Sequence, residues 1–252
     1  MARYQVILAY DGTDFYGFQR QARHSTARTV QSAVEIALRQ IGWQDSTILA
    51  AGRTDTGVHA SGQVIAFDLE WSHSTDALQA ALNAHLPPDV SARAVALASA
   101  DFHPRYHALS RCYRYRIYCQ PVRDPLKDRY VWRVWPAVDL ERLRQAAALL
   151  LGAHNFAAFG TPPRTGGTTK RNVQRAIWLD EADELIFEVV ADAFLYRMVR
   201  RLVSLQVAIG QGLLKPEAVL SCLESGSPSL VKGLAPPQGL TLVEVIYPHA
   251  ER

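Results

Sequence analysis

The sequence predicts an α+β protein of two ferredoxin-like, RRM-like lobes joined through antiparallel sheets, with a central active-site cleft. Three observations carry that expectation. Apolar periodicity alternates between the beat of strands and that of helices in the order β-α-β-β-α-β, once over residues 3–97 and again over 111–247. The 252 residues, 48% of them apolar, suffice for one large core or two smaller ones. Charge also changes sign along the chain. Residues 1–101 hold seven arginines, no lysine and ten acids, whereas residues 102–252 hold 20 basic and 14 acidic side chains. The expected lobes are therefore 1–101, with the reactive loop, and 102–252, the more basic one. Clefts between lobes are where sites tend to lie.

Arg3 to Tyr10 alternates and is β-branched enough for a strand. Asp11-Gly12-Thr13-Asp14 is a turn, followed by an aromatic and polar loop from Phe15 to Gln21. Thr29 is placed to cap a helix whose apolar positions Val30, Ala33, Val34, Ala37 and Ile41 recur at helical spacing and end at Gly42. The apolar run Thr47 to Ala51 and the alternating run from Gln63 to about Leu69 read as strands. Ser74-Thr75-Asp76 opens a second helix carrying Leu78, Ala81, Leu82 and Leu86, which Pro87-Pro88 stops. Val90 to Leu97 is a further strand.

Arg111 to Gln120 is strongly β, with Tyr113, Tyr115, Ile117 and Cys119 on one face and Arg114, Arg116 and Tyr118 on the other. An edge strand is expected around Tyr130 to Val134. Asp139 caps a helix through Leu151 with Leu140, Leu143, Ala147 and Leu150 inward. Thr161 to Thr168 is a long Pro/Gly-rich loop. Asn172 to Leu179 and Leu185 to Val190 form a hairpin about Asp180–Asp183. A long helix is expected over Phe194–Gly210, a shorter one over Pro216–Leu223, and a last strand over Gly239–Tyr247.

Composition excludes several classes. The longest apolar runs are far too short to span a bilayer, and the first residues read as a strand rather than a signal region, so a soluble, cytoplasmic protein is expected. Three cysteines, an odd number without CxxC spacing, argue against a disulfide framework and a zinc site; Cys112 and Cys119 are expected within one strand. No P-loop, G-x-S-x-G or dinucleotide fingerprint is present, and neither metal nor organic cofactor is expected. Residues 103–133 hold eight basic side chains against Asp124 and Asp128, and arginine greatly outnumbers lysine. That balance suits an anionic polymer bound through bidentate phosphate contacts.

Chemistry concentrates in Ala51-Gly52-Arg53-Thr54-Asp55-Thr56-Gly57-Val58-His59-Ala60. Two glycines five apart permit turns, and between them stand a permanent cation, Arg53, and a carboxylate, Asp55, with His59 behind. Spacing leaves two readings: a hairpin loop with solvated charges, or a reactive group presented by a rigid scaffold. A catalytic Asp must stay ionised when water is excluded, which a neighbouring guanidinium favours. Besides Arg53, candidates are Arg197, Arg200 and Arg201 on an otherwise apolar helix. An arginine pointing inward there would require an anionic partner, for which Asp55 is the obvious choice. Tyr113 and Tyr115 read as core residues or as a stacking platform for an unpaired base. Asp55 and His59, four apart on a glycine-containing loop, make a poor metal pair.

The stretch Gly52-Arg53-Thr54-Asp55-Thr56-Gly57-Val58-His59 resembles the signature of the tRNA pseudouridine synthase A family. Four further segments agree with that family: Tyr10-Asp11-Gly12-Thr13 with Gly17 to Gln21; Phe102-His103 running on to Tyr113-Arg114-Tyr115; Phe194 to Arg200; and Ala235 to Leu240 with Tyr247-Pro248. They run from the first strand to the last. The resemblance implies the pseudouridine synthase fold and a homodimeric isomerase that converts uridine to pseudouridine at positions 38, 39 and 40 of the tRNA anticodon stem-loop, without metal or cofactor. It implies Asp55 as the catalytic nucleophile, Arg200 as its ion-pair partner, Arg53 as the residue of base extrusion, and Tyr113 packed on the target base. Arg20, Arg111 and Arg114 are the candidates for the RNA backbone.

Departures from the family pattern are Ser204 where glycine is common, Phe18 for tryptophan and Cys112 for arginine. Ser204 is expected to loosen close helix packing, and Cys112 to remove a phosphate contact. Whether Asp55 attacks the sugar, adds to the base or removes a sugar proton stays open. Two other functions compete: a non-catalytic RNA-binding protein of duplicated ferredoxin-like units, and a metal-dependent phosphohydrolase using Asp55 and His59.

Overall fold

The structure, a computed structural model, describes residues 1–21, 27–164 and 166–248. Thr165 of the expected Pro/Gly-rich loop lies outside them. Strands and helices follow one another as an α+β chain.

By packing, the chain divides into two compact units, Met1–Leu109 with Leu242–Arg252, and Ser110–Thr241. The sequence places the division at 101/102 and assigns the last strand to the second lobe. The first unit recovers that strand through contacts of residues 242–247. Val243 O accepts from Ser61 Oγ at 3.3 Å, Leu109 N–H donates to Ile246 O at 2.8 Å, and the Tyr247 hydroxyl donates to Pro104 O at 2.7 Å.

In the first unit β1 (Ala2–Tyr10) is central. It pairs antiparallel with β3 (His59–Leu69) and β4 (Val90–Leu97), while β2 (Leu49–Ala50) adds to β3. The order β4-β1-β3-β2 is that of a split βαβ unit. Helices α1 (Val30–Gln40) and α2 (Thr75–His85) follow the expected caps, Thr29 and Ser74. The first amides of α1, which have no intrahelical acceptor, are satisfied from outside. Val30 N–H donates to Gly17 O at 3.3 Å and Gln31 N–H to Phe18 O at 2.9 Å, while Thr29 and Ser32 form a capping box. Helix α1 thereby anchors the 11–18 loop. The strand expected over Thr47–Ala51 shortens to β2.

In the second unit β5 (Ser110–Tyr118), β9 (Glu184–Ala191), β8 (Lys170–Glu181) and β7 (Gly152–Asn155) are antiparallel neighbours in that order. The expected edge strand reduces to β6 (Trp132–Arg133), parallel to β5. Strand β7 was not expected; at four residues it is too short to show a period. Helix α3 (Leu140–Ala148), capped by Asp139, packs on α4 (Met198–Gly210), and α5 spans Ala218–Ser225. Their contact is close: a Cβ on Gly210 would fall 2.8 Å from Val138 and 2.9 Å from Leu143.

The long helix expected from Phe194 begins only at Met198. Tyr196 spends its backbone on Thr161, donating N–H to Thr161 O at 3.0 Å, and Arg197 takes a left-handed turn at φ 63°. Apolar spacing cannot register either event. Ser204, expected to loosen packing, instead donates Oγ–H to Lys232 O at 2.9 Å and holds that segment on α4. Among the described residues no helix is long and apolar enough to cross a membrane.

A Cβ on Gly62 would lie 2.1 Å from Val243 O, so β3 and β10 (Leu240–Ile246) meet there only because glycine has none. Gly62→Ala is expected to cost about 1–3 kcal/mol, read as a lower urea midpoint at unchanged m. Gly52→Ala, with nothing within 4 Å of the added carbon, should stay within about 0.5 kcal/mol.

Candidate active site

The charged loop of residues 51–58 connects β2 to β3, and a second loop, 11–18, closes against it. Phe18 N–H donates to Thr54 O at 3.1 Å, and Gly57 N–H to Phe15 O at 3.4 Å. Two glycines make that approach possible. A Cβ on Gly12 would fall 2.0 Å from Val58 O, and one on Gly17, at φ 86°, would fall 2.9 Å from Thr54 O. Gly57 itself turns at φ 76°, while Val58 N–H returns to Asp55 O at 3.1 Å.

Side chains beneath the loop complete the clamp. The Tyr10 hydroxyl lies 2.8 Å from Thr54 Oγ1, and Gln63 Nε2 donates to Gly52 O at 3.1 Å. Burial pushes the Tyr10 phenol up to about 12, against smaller opposing effects of its bonds to Thr54 and Gln63. His59 is buried, accepts Gly12 N–H on Nδ1 at 3.0 Å and has Asp11 Oδ1 at 3.1 Å from the same nitrogen. It organises the 11–14 turn. The turn is fixed further by Asp89, whose carbonyl accepts Asp11 N–H and whose carboxylate takes both Nη groups of Arg28 at 2.7 Å.

Within this frame Arg53 is exposed and Asp55 half-buried, side by side on one loop with the buried Thr54 between them. Partial loss of water lowers the Arg53 guanidinium below its ordinary value, and the nearby positive charge of Arg105 adds to this. Arg20, one loop away, is tied to α1. Its Nε lies 3.2 Å from Glu35 Oε2 and its Nη2 donates to Ser46 O at 2.9 Å. Glu35 is a buried carboxylate outside the helix face read as apolar, also taking Gln31 Nε2 at 2.8 Å and Ile48 N–H at 3.3 Å.

The second unit carries the other candidates. Tyr113, buried on β5, meets Phe194 edge-on with ring centroids 5.0 Å apart. Of the three arginines near the start of α4, Arg200 is the buried one, at 9% exposure, whereas Arg197 is exposed and Arg201 half-buried. Arg200 Nε donates to Ala235 O at 2.7 Å, and Ala235 N–H returns to Arg200 O at 3.3 Å. Tyr115 beside it donates its hydroxyl to Pro236 O, and burial raises that phenol strongly. Arg114 Nε meets Glu188 Oε2 at 2.8 Å, and Arg111 Nη1 donates to Asp192 O at 2.8 Å. Cys112 is buried on β5. Among the described residues no three His, Cys, Asp or Glu side chains gather as a metal would need.

The sequence singles out Arg53 and Asp55 as candidates; it does not single out Gln63 and Glu35, whose side chains brace the neighbouring backbone, and it places Tyr10 only within the segment Tyr10 to Thr13. The available signals were a tyrosine closing a strand beside the turn, and a Gln31/Glu35 pair one helical turn apart.

A carboxylate and a guanidinium fixed on an interlocked loop are equipment for acting on a bound molecule, and comparison identifies the class. The model of a family described as tRNA pseudouridine synthase matches residues 6–107 and 146–248. A curated tRNA pseudouridine synthase A from Syntrophotalea carbinolica is 39% identical over 98% of this chain and 97% of its own. Another from Methylobacterium nodulans is 39% identical over 99% and 98%, and one from Syntrophomonas wolfei 35% identical over 98% of each. The chain belongs to the tRNA pseudouridine synthase family, isomerases that convert uridine to pseudouridine in tRNA.

Tyr10 yields a pH prediction. Its phenol is harder to ionise folded than unfolded, so the stability from its burial is complete below pH 10. That stability is lost as pH rises from about 10 to 12, where only the unfolded chain ionises. Urea midpoints of the parent should fall more steeply over that window than those of Tyr10→Phe.

Proposed function

We propose that this isomerase acts on uridines 38, 39 and 40 of the tRNA anticodon stem-loop, with Asp55 as its catalytic nucleophile. The observation that carries the reading is the clamped loop: Asp55 is half-buried on a backbone held through Thr54 and Gly57 rather than on a free hairpin. Fixing a reacting group in this way removes orientational freedom that the transition state would otherwise have to lose.

The reaction breaks the C1′–N1 glycosidic bond, turns the uracil and forms a C1′–C5 bond. The proton on C5 leaves and one is restored to N1, so atoms and electrons balance with no added reductant or energy source. Asp55 must be ionised to act. In this reading Arg200 is the cation that keeps it so, which accounts for a guanidinium buried on an apolar helix. Exposed Arg53 takes part in extruding the base, a step that costs a few kcal/mol of lost stacking. Tyr113, edge-on to Phe194, supplies the aromatic wall on which the detached uracil packs.

Arg111 and the exposed flanks of Arg20 and Arg114 contact the RNA backbone. The last two keep 47% and 43% of their side chains accessible while one edge is held by a carboxylate. The working unit is a homodimer, and its compartment is the cytoplasm, where tRNA is matured.

The test uses tRNA carrying tritium at uridine C5. The parent should release tritium from positions 38–40, whereas Asp55→Asn should bind tRNA, keep its fold and release none. Release at the parental rate by Asp55→Asn overturns the assignment, and release from uridines elsewhere overturns the target.

A further inference from the structure

We infer that Tyr10 is a positioning residue for the catalytic loop, acting through its hydrogen bond to Thr54 beside a second bond from Gln63 to Gly52. The inference rests on the proposed role of Asp55 and extends it to three side chains that touch no substrate.

All three are buried: Tyr10 is 4% exposed, Thr54 7% and Gln63 fully inaccessible. Buried polar groups are kept where each finds a partner. The Gln63 carbonyl oxygen accepts Val64 N–H at 3.2 Å, which fixes which way the amide faces. Its NH2 therefore points toward the loop, donating to Gly52 O at 3.1 Å. Beside that bond the Tyr10 hydroxyl meets Thr54 Oγ1 at 2.8 Å.

Tyr10 closes β1 and Gln63 lies within β3, strands locked by their ladder from Ala2↔Leu69 to Ile7↔Val64 and again at Tyr10↔Ala60. The two bonds thus carry sheet rigidity up into the loop. Thr54 is gripped at two points, by Tyr10 on its side chain and by Phe18 N–H on its carbonyl. A residue gripped at side chain and carbonyl cannot rotate, so its neighbours Arg53 and Asp55 leave it in fixed directions. Gly52, gripped by Gln63, fixes the entry to the same stretch. Thr54 is the one residue between the two charges, which makes its hydroxyl the shortest path from the sheet to Asp55.

Misplacing a reacting group by about 1 Å costs up to about 100-fold in rate without weakening binding. Tyr10→Phe and Thr54→Val should therefore lower kcat about 10-fold or more on tritiated tRNA, with KM within about twofold. Thr54→Ser, which keeps the hydroxyl, should restore kcat to near the parental value. The double variant should be no slower than the slower single, because both remove the same bond. Tyr4→Phe is the control: the same atom is deleted from a buried tyrosine on the same strand, stacked on Phe67 away from the loop, and kcat should not change. Melting temperatures establish that each variant is folded at the assay temperature.

Parental kcat in folded Tyr10→Phe overturns the inference. So does a loss confined to KM, or a Thr54→Ser variant as slow as Thr54→Val; should Tyr10→Phe fail to fold, the Thr54 pair decides alone. The parent and Asp55→Asn are run alongside. An inactive parent or an active Asp55→Asn removes the proposed function itself, whereas parental kcat in Tyr10→Phe beside an inactive Asp55→Asn removes only the positioning role.

Discussion

One short contact governs the first unit: the Phe18 amide on the Thr54 carbonyl, where two glycine-bearing loops close on each other. Each loop has a turn bond of its own, Phe15 N–H to Gly12 O and Val58 N–H to Asp55 O. Together they share one shape, because Gly12 and Gly17 let the backbones approach to distances that any Cβ would forbid. The 11–18 loop is in turn fixed by the open amides of α1, and the 51–58 loop by β1 and β3 from below. A carboxylate that must be both accessible and fixed needs such an arrangement, since burial would supply order and remove access.

Arginine usage follows the same division between holding and presenting. Arg3 pairs with Asp68, Arg28 with Asp89, Arg114 and Arg175 with Glu188, and Arg116 with Glu184. Asp68, hydrogen-bonded by Arg3, is held below its usual range. Arg114 and Arg116, counted in the basic stretch 103–133, are thus engaged within the fold, and exposed pairs of this kind add little stability. Arg53 differs: partial burial, and after it the positive charge of Arg105, lower its guanidinium rather than raise it.

The architecture was legible wherever a local rule decided it. Thr29, Ser74 and Asp139 cap where they were expected to, and β4 has its expected bounds, because capping and alternation are written in neighbouring residues. The helix expected from Phe194 starts late because Thr161, far away in sequence, takes the backbone of Tyr196. Strand β10 packs with the first unit because Gly62 admits Val243, a tertiary fact with no local trace. Within the site, Arg53 and Asp55 stood out as charges between glycines. Tyr10 and Gln63 did not, since a tyrosine and a glutamine on alternating strands look like packing until their polar atoms are seen to reach the loop.

The account turns on whether the loop that bears Asp55 is as rigid as the sheet beneath it, and hydrogen exchange at single amides measures that directly. The amides of Phe18 and Ala51, bonded to Thr54 O and Val64 O, should exchange nearly as slowly as those of Val6 and Ile65 in the β1–β3 ladder. Exchange of Phe18 at the rate of an unprotected loop amide, beside a protected ladder, would mean that the two loops open freely and would contradict the account.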